Sequence, residues 1–211
     1  SNKSFIPSGN YRSYGDSAFS ENIINCKKNN TIISFDRSKG FLKVEAGITL
    51  SQILSTIVPY GWFLGVTPGT KYSTLGGAIA SDIHGKNHHI NGCFSEYVSD
   101  IDLMLPSGSI VTLVKEDELF KATCGGMGLT GVIVSATIRL VKIKSTNINQ
   151  TTIKTANLTE TFNVFDKYAD ETYSVAWFDG FASGSVFGRS IIQIGDFSTD
   201  GDLKFKDQSI K

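Results

Sequence analysis

The sequence has no run of basic residues, and its 20 Lys and Arg are matched by 20 Asp and Glu, for a formal net charge of zero. Binding along a nucleic acid needs clustered cations to neutralise phosphates, so nucleic acid is excluded as an expected partner. No apolar stretch approaches the roughly 20 residues of a membrane-spanning helix, and no charged-then-apolar leader opens the chain. Proline is scarce, with 4 residues, which rules out a Pro-rich linker. The three cysteines, Cys26, Cys93 and Cys124, form an odd set without the paired spacing of a metal site or a redox motif. Reduced thiols in a cytoplasmic protein are therefore expected. Also missing are the GxGxxG dinucleotide fingerprint after a strand and the Walker phosphate loop.

Glycine, by contrast, is abundant, with 21 residues, and it is clustered. Clustered glycine in a chain that is 40% hydrophobic and 19% charged indicates tight loops on a globular protein. A length of 211 residues suits one large domain, or one domain and part of another.

Thr31–Phe35 and Phe41–Glu45 are β-rich apolar runs on either side of the turn-like residues 36–40. Thr49 can cap a helix on which Leu50, Ile53, Leu54 and Ile57 share one face, and Pro59 and Gly61 end it. Residues 98–105 and 110–114 read as a hairpin around Pro106-Ser107-Gly108-Ser109. Residues 116–123 read as a short helix, and Val132–Ile143 as a long alternating strand. After Lys144 the texture becomes rich in Thr and Asn, with strands expected at Tyr173–Asp179 and Arg189–Ile194. This order of mixed elements indicates an α+β fold, with a domain boundary near residue 144.

Three loops carry the chemistry. The first is Gly9-Asn10-Tyr11-Arg12-Ser13-Tyr14-Gly15-Asp16. The second runs from Pro68-Gly69-Thr70 through Thr74-Leu75-Gly76-Gly77-Ala78 to Asp82-Ile83-His84-Gly85-Lys86-Asn87-His88-His89. The third spans residues 125–131. Glycines let backbone N–H groups converge on an anion. A helix opened by Gly76-Gly77 would add free donors and a favourable dipole for a pyrophosphate. Any one of these loops reads as an ordinary tight turn, but all three in this order do not.

These words identify the chain as similar to the vanillyl-alcohol-oxidase-type, or PCMH-type, FAD-binding superfamily, and within it to the polyprenylphosphoryl-ribose oxidases. The resemblance covers nearly the whole chain. It rests on Arg12-Ser13-Tyr14-Gly15-Asp16, Pro68-Gly69-Thr70, Gly76-Gly77-Ala78-Ile79-Ala80, residues 82–89, Gly128-Leu129-Thr130-Gly131 and Ala176-Trp177-Phe178-Asp179. The His-Gly-Lys-Asn-His-His string is specific to that oxidase group, whereas the glycine loops are shared across the superfamily.

The resemblance implies FAD as cofactor. Gly9 and Arg12, Ser13, Tyr14, Gly15, Asp16 and Ser17 match the loop around its pyrophosphate. Gly69, Thr74, Leu75, Gly76, Gly77, Ser81, Asp82, Ile83 and His84 match the segment along its ribityl chain and flavin, and Ile133 matches a backbone contact. His84 and Lys86 match catalytic positions, and Lys86 and Trp177 match positions facing the substrate. Arg12 stands where a covalent histidine often sits, which implies non-covalent FAD. The opening βαβ unit of the family is missing, as is most of its substrate domain. The expected layout is therefore an FAD-binding domain, incomplete at its N-terminus, over 1–144 and the truncated beginning of a β-rich substrate domain over 145–211.

The implied activity is oxidation of a polyprenylphosphoryl ribose at its 2′-hydroxyl, with a separate short-chain dehydrogenase reducing the keto product to the arabinose epimer. The expected location is the cytoplasm, or the inner face of the membrane. Two other readings stay open: an oxidase or dehydrogenase of sugar lactones or alditols, and a non-catalytic flavin- or glycan-binding remnant. A metal is not expected. His84 and His88 have the spacing of a helical metal pair, but Gly85 and Asn87 disfavour the helix and no Glu lies between the histidines. Trp177 taken alone reads as a core residue, and Cys124 as a small buried thiol.

Overall fold

A computed structural model describes residues 4–204. In chain order the strands and helices are β1 (Ile6–Ser8), β2 (Ile23–Asn25), β3 (Ile32–Asp36), β4 (Phe41–Glu45), α1 (Leu50–Ile57), β5 (Trp62–Leu64), α2 (Leu75–Ala80), α3 (His88–Asn91), β6 (Val98–Met104), β7 (Ile110–Val114), α4 (Glu118–Thr123), β8 (Val132–Lys142), β9 (Ile148–Thr155), α5 (Leu158–Lys167), β10 (Tyr173–Phe178) and β11 (Ser190–Phe197). The fold is α+β.

The central sheet runs β3-β4-β8-β6-β7, with β5 extending along β8. Every pairing in it is antiparallel. The long strand β8 holds it together, because β4 and β5 share one of its edges and β6 takes the other. Alternation buries Leu42 and Val44 of β4, Ile101 and Leu103 of β6, and Ala136, Ile138 and Leu140 of β8 on one face.

Helix α1 packs within this core because Leu50, Ile53, Leu54 and Ile57 are all buried. Each such side chain contributes about 1.5–3 kcal/mol. Its start is fixed by a capping box. The Gln52 N–H donates to Thr49 Oγ1 at 3.3 Å, and the Thr49 N–H donates back to Gln52 Oε1 at 2.9 Å. Its end passes through a short 3-10 turn, Val58–Tyr60, into Gly61 at φ 74, a left-handed conformation that glycine adopts without strain.

Residues 148–197 form a second sheet, β10-β11-β9, antiparallel throughout. Helix α5 packs on it, with Thr161 Oγ1 2.7 Å from Thr155 Oγ1. The two sheets meet through Phe197, whose ring lies edge-on to Phe63 of β5 at 5.1 Å and to Tyr173 of β10 at 5.8 Å.

Most expected elements appear within two residues of their sequence bounds, although the expected strand from Arg189 to Ile194 runs on to Phe197. The Thr- and Asn-rich stretch after Lys144 is more ordered than its composition suggests, since it contains β9 and the start of α5. The expected second segment, 145–211, extends past the described residues at 205–211.

Candidate functional site

The three glycine-rich loops come together. One groove is lined by Gly9, Arg12, Ser13 and Ser17 from the first loop, by Thr74, Gly76, Gly77, Ser81 and Ile83 from α2 and its flanks, and by Met127, Gly128 and Gly131 from the third. Cys26, Ala46 and Ile133 also line it. Its volume is about 130 Å³.

The first loop is anchored at both ends. Ser8 Oγ donates to Ala18 O at 2.8 Å, and Asn10 Nδ2 donates to Tyr72 O at 2.8 Å. Tyr11 takes a positive φ of 52, so neighbouring N–H groups turn toward one side, the geometry of an anion-binding nest. Among the described residues, the backbone N–H groups of Tyr11, Arg12, Ser13 and Tyr14 donate to no protein acceptor. The Arg12 guanidinium sits 5.8 Å from the Tyr72 ring centroid, a permanent positive charge at the groove. Unspent donors and a fixed cation in a glycine-walled groove fit a pyrophosphate.

Helix α2 does not work as the sequence suggested. It begins at Leu75, capped by Thr74, rather than at Gly76. Its first N–H groups are already occupied: Leu75 donates to Ile48 O at 2.8 Å, Gly76 to Ala46 O at 2.8 Å and Gly77 to Thr74 Oγ1 at 3.3 Å. The helix start therefore offers a dipole but not the expected free donors, because neighbouring loop carbonyls satisfy them. Its glycines serve close approach instead. A Cβ on Gly76 would stand 3.0 Å from the Ala46 side chain, and one on Gly9 would stand 2.2 Å from Thr74 Oγ1.

Several expected contact residues lie off the groove wall. Leu75 is fully buried in the core, Tyr14 is wholly exposed, and Gly15, Asp16 and Gly69 are absent from the lining. Asp82 spends its carboxylate on Ser95. Sequence reasoning missed Cys26 and Ala46 as lining residues; neither carries a polar pattern that would single it out.

His84 and Lys86 follow Ile83 out of the groove, both with exposed side chains. His84 pairs with Cys93 in an isolated antiparallel bridge. Asn87 is buried, and its Nδ2 donates to Gly65 O at 2.7 Å. The Lys86 carbonyl accepts the Ser174 N–H at 3.0 Å, which ties this loop to β10, the strand that carries Trp177. Trp177 is 70% exposed, so it is not the core residue its apolarity alone would suggest.

The remaining histidines are engaged locally. His89 Nε2 lies 3.0 Å from Glu171 O, and His88 Nδ1 lies 3.9 Å from Cys93 Sγ. Among the described residues, no group of three or more His, Cys, Asp or Glu is placed to hold a metal ion. All three cysteines are free. Burial, with the nearby Asp82 charge as a lesser cause, pushes the Cys124 thiol up to about 12. It stays protonated at neutral pH and is no nucleophile.

Comparison with known proteins agrees with this geometry. Residues 1–114 match the model of a family described as FAD binding domain. The chain is 37% identical over 200 residues to a decaprenylphosphoryl-beta-D-ribose oxidase of Mycolicibacterium smegmatis, covering 92% of this chain and 44% of that protein. It is 27% identical over 126 residues to a D-lactate dehydrogenase of Anaerostipes hadrus, covering 56% and 26%. It is 30% identical over 115 residues to a human Delta(24)-sterol reductase, covering 54% and 22%. The chain thus spans less than half the length of each of these relatives. The match over residues 1–114 and the similarity to the oxidase along nearly the whole chain show that the chain belongs to the PCMH-type FAD-binding family of flavoprotein oxidoreductases.

Proposed function

We propose that the full-length protein oxidises a secondary hydroxyl of a polyprenylphosphoryl pentose, the 2′-hydroxyl of ribose, to a ketone. The observation that carries this reading is the His84–Lys86 loop, which leaves the FAD groove and is tied to the strand bearing Trp177. The similarity to the mycobacterial oxidase, which runs through this loop and strand, supports the same substrate. Residues 1–144 then form the FAD-binding domain, and residues 145–211 begin the substrate-binding domain. The second sheet supports that division.

FAD, when bound, supplies the two-electron acceptor. The first loop holds its pyrophosphate through the free N–H groups of residues 11–14 and the charge of Arg12. Lys86 offers an ammonium with three donors to the substrate phosphate. An imidazole nitrogen of His84 holds the reacting hydroxyl and takes or shares its proton. Trp177 covers the sugar with an apolar face. A separate short-chain dehydrogenase reduces the keto product, for net epimerisation to arabinose. The protein works in the cytoplasm at the inner face of the membrane, where a lipid-linked sugar is within reach. Among the described residues no helix is long and apolar enough to cross a membrane. The direct test is to incubate the FAD-loaded full-length protein with polyprenylphosphoryl ribose and an electron acceptor, and to look for the keto sugar. Oxidation of a sugar lactone or an alditol in its place would redirect the assignment.

The cofactor is held without a covalent bond. The delocalised guanidinium of Arg12 offers no nucleophilic nitrogen. Cys26, which lines the groove, has its thiol pushed up by burial. Acid precipitation of the full-length protein is expected to release all of the yellow colour into the supernatant. Colour that stays in the pellet would contradict this.

The 211-residue chain alone is expected to bind FAD weakly. The first loop that walls its groove is largely exposed, and ordering it around a ligand has an entropic cost that few contacts offset. Micromolar FAD should raise its melting temperature by no more than about 2 °C, since stabilisation by a ligand tracks its affinity for the folded state. A shift of many degrees would show a self-sufficient site.

A further inference from the structure

We infer that Asp82 and Ser95 form a clamp that positions His84; this rests on the function proposed above. Helix α2 ends in a Schellman turn. The Asp82 N–H donates to Ile79 O at 3.0 Å, and the Ile83 N–H donates to Ala78 O at 3.1 Å. Asp82 therefore occupies the left-handed position of that turn, at φ 39. Glycine is the usual residue there, because an L side chain is strained in that conformation. The first and second loops are full of glycines, yet this turn carries an aspartate.

The carboxylate does what glycine cannot. Its Oδ1 accepts the Ser95 N–H at 2.9 Å, and its Oδ2 accepts the Ser95 hydroxyl at 3.0 Å. The next rung is the Phe94 N–H on Ile83 O at 2.8 Å, and the next is the bridge between His84 and Cys93. Three successive residues, 82 to 84, are thus zipped to 95, 94 and 93, with the Asp82–Ser95 pair closing the end nearest α2. Beyond His84 the loop is pinned again by Asn87 on Gly65 O and by Ser174 on the Lys86 carbonyl. Asp82 does not line the groove, and both carboxylate oxygens are engaged. Its part is to fix the backbone from which the His84 ring projects, not to touch cofactor or substrate.

The test uses the full-length, FAD-loaded protein. Asp82→Gly removes the carboxylate and leaves the left-handed turn free of strain, so FAD content and melting temperature should hold. The clamp predicts amide exchange at Phe94 and Ser95, whose N–H groups donate to Ile83 O and Asp82 Oδ1, about tenfold faster, and kcat about tenfold lower with KM unchanged. Asp82→Asn keeps one acceptor oxygen and should recover most of kcat. Ser95→Ala should act in the same direction as Asp82→Gly, and the double variant should be no slower than Asp82→Gly alone, since the two residues act as one unit. Unchanged exchange in Asp82→Gly would overturn the clamp. Faster exchange with wild-type kcat would overturn its positioning role. If the wild-type protein oxidised no lipid-linked sugar, the proposed substrate would fail, while the exchange rates on the same samples would still decide the clamp.

Discussion

Replacing His84 with alanine in the full-length, FAD-loaded protein is expected to lower kcat by roughly ten- to thousandfold, a loss of about 1.4–4 kcal/mol of transition-state stabilisation. FAD content should not change. The side chain is exposed and lies outside the groove lining, so its removal leaves neither a cavity nor a broken cofactor contact. Its ring lies 5.5 Å from that of His88 between centroids, tilted at 59°, a contact between two exposed side chains. Lys86→Ala should behave differently. Its backbone carbonyl, not its ammonium, holds β10, so the fold persists. On the proposed function, what is lost is a charge that would meet the substrate phosphate equally in the ground and transition states, which should raise KM and leave kcat nearly intact. Steady-state kinetics on both variants, with flavin content measured on the same samples, separates the two roles. Normal kinetics in both would remove this loop from the active site.

Gly47→Ala is expected to cost about 3 kcal/mol or more, near the upper end of what overpacking does. A Cβ at this position would stand 1.9 Å from the Cys26 carbonyl oxygen and 2.7 Å from the Asn29 carbonyl oxygen. Both are backbone atoms and cannot rotate away. The Gly47 N–H also donates to Asn29 O at 2.7 Å, so this glycine seals the segment carrying Cys26 against the chain leaving β4. That segment is a wall of the groove. Forcing it away should destabilise the chain and loosen the cofactor site together. With about 2–4 °C per kcal/mol for a chain of this size, the melting temperature should fall by roughly 6–12 °C. Gly180→Ala is the control, because a Cβ there meets only Phe178 at an ordinary 3.7 Å. A Gly47→Ala protein that melts with the control would show that the contact yields more easily than its backbone partners suggest.

The parts of the molecule that follow from local physics were legible in the sequence. Helix α1 announced itself by its apolar spacing and by Thr49 as its cap. Strand β8 announced itself by alternation, and the β6–β7 hairpin by its turn residues. The three glycine loops marked the groove before any coordinate did, because backbone that must approach a ligand closely requires glycine there. Other elements left no such trace. Strand β5 is three residues long, too short for a period. Strand β9 is mostly exposed Thr, Asn and Gln and is held by its ladder to β11 rather than by an apolar face.

The sequence by itself thus determined the α+β class, the order of the main elements, the cofactor family and, as a set, the three loops that line one groove. Only the tertiary structure decided which donors in that set are free. The N–H groups at the start of α2 are taken by Ile48, Ala46 and Thr74, those of residues 11–14 remain unspent, and the Asp82 carboxylate belongs to Ser95. Local sequence records the donors and acceptors a residue owns. Whether they are satisfied depends on partners from distant segments, brought there by the packing of the β4–β8–β6 sheet, and no local pattern encodes that.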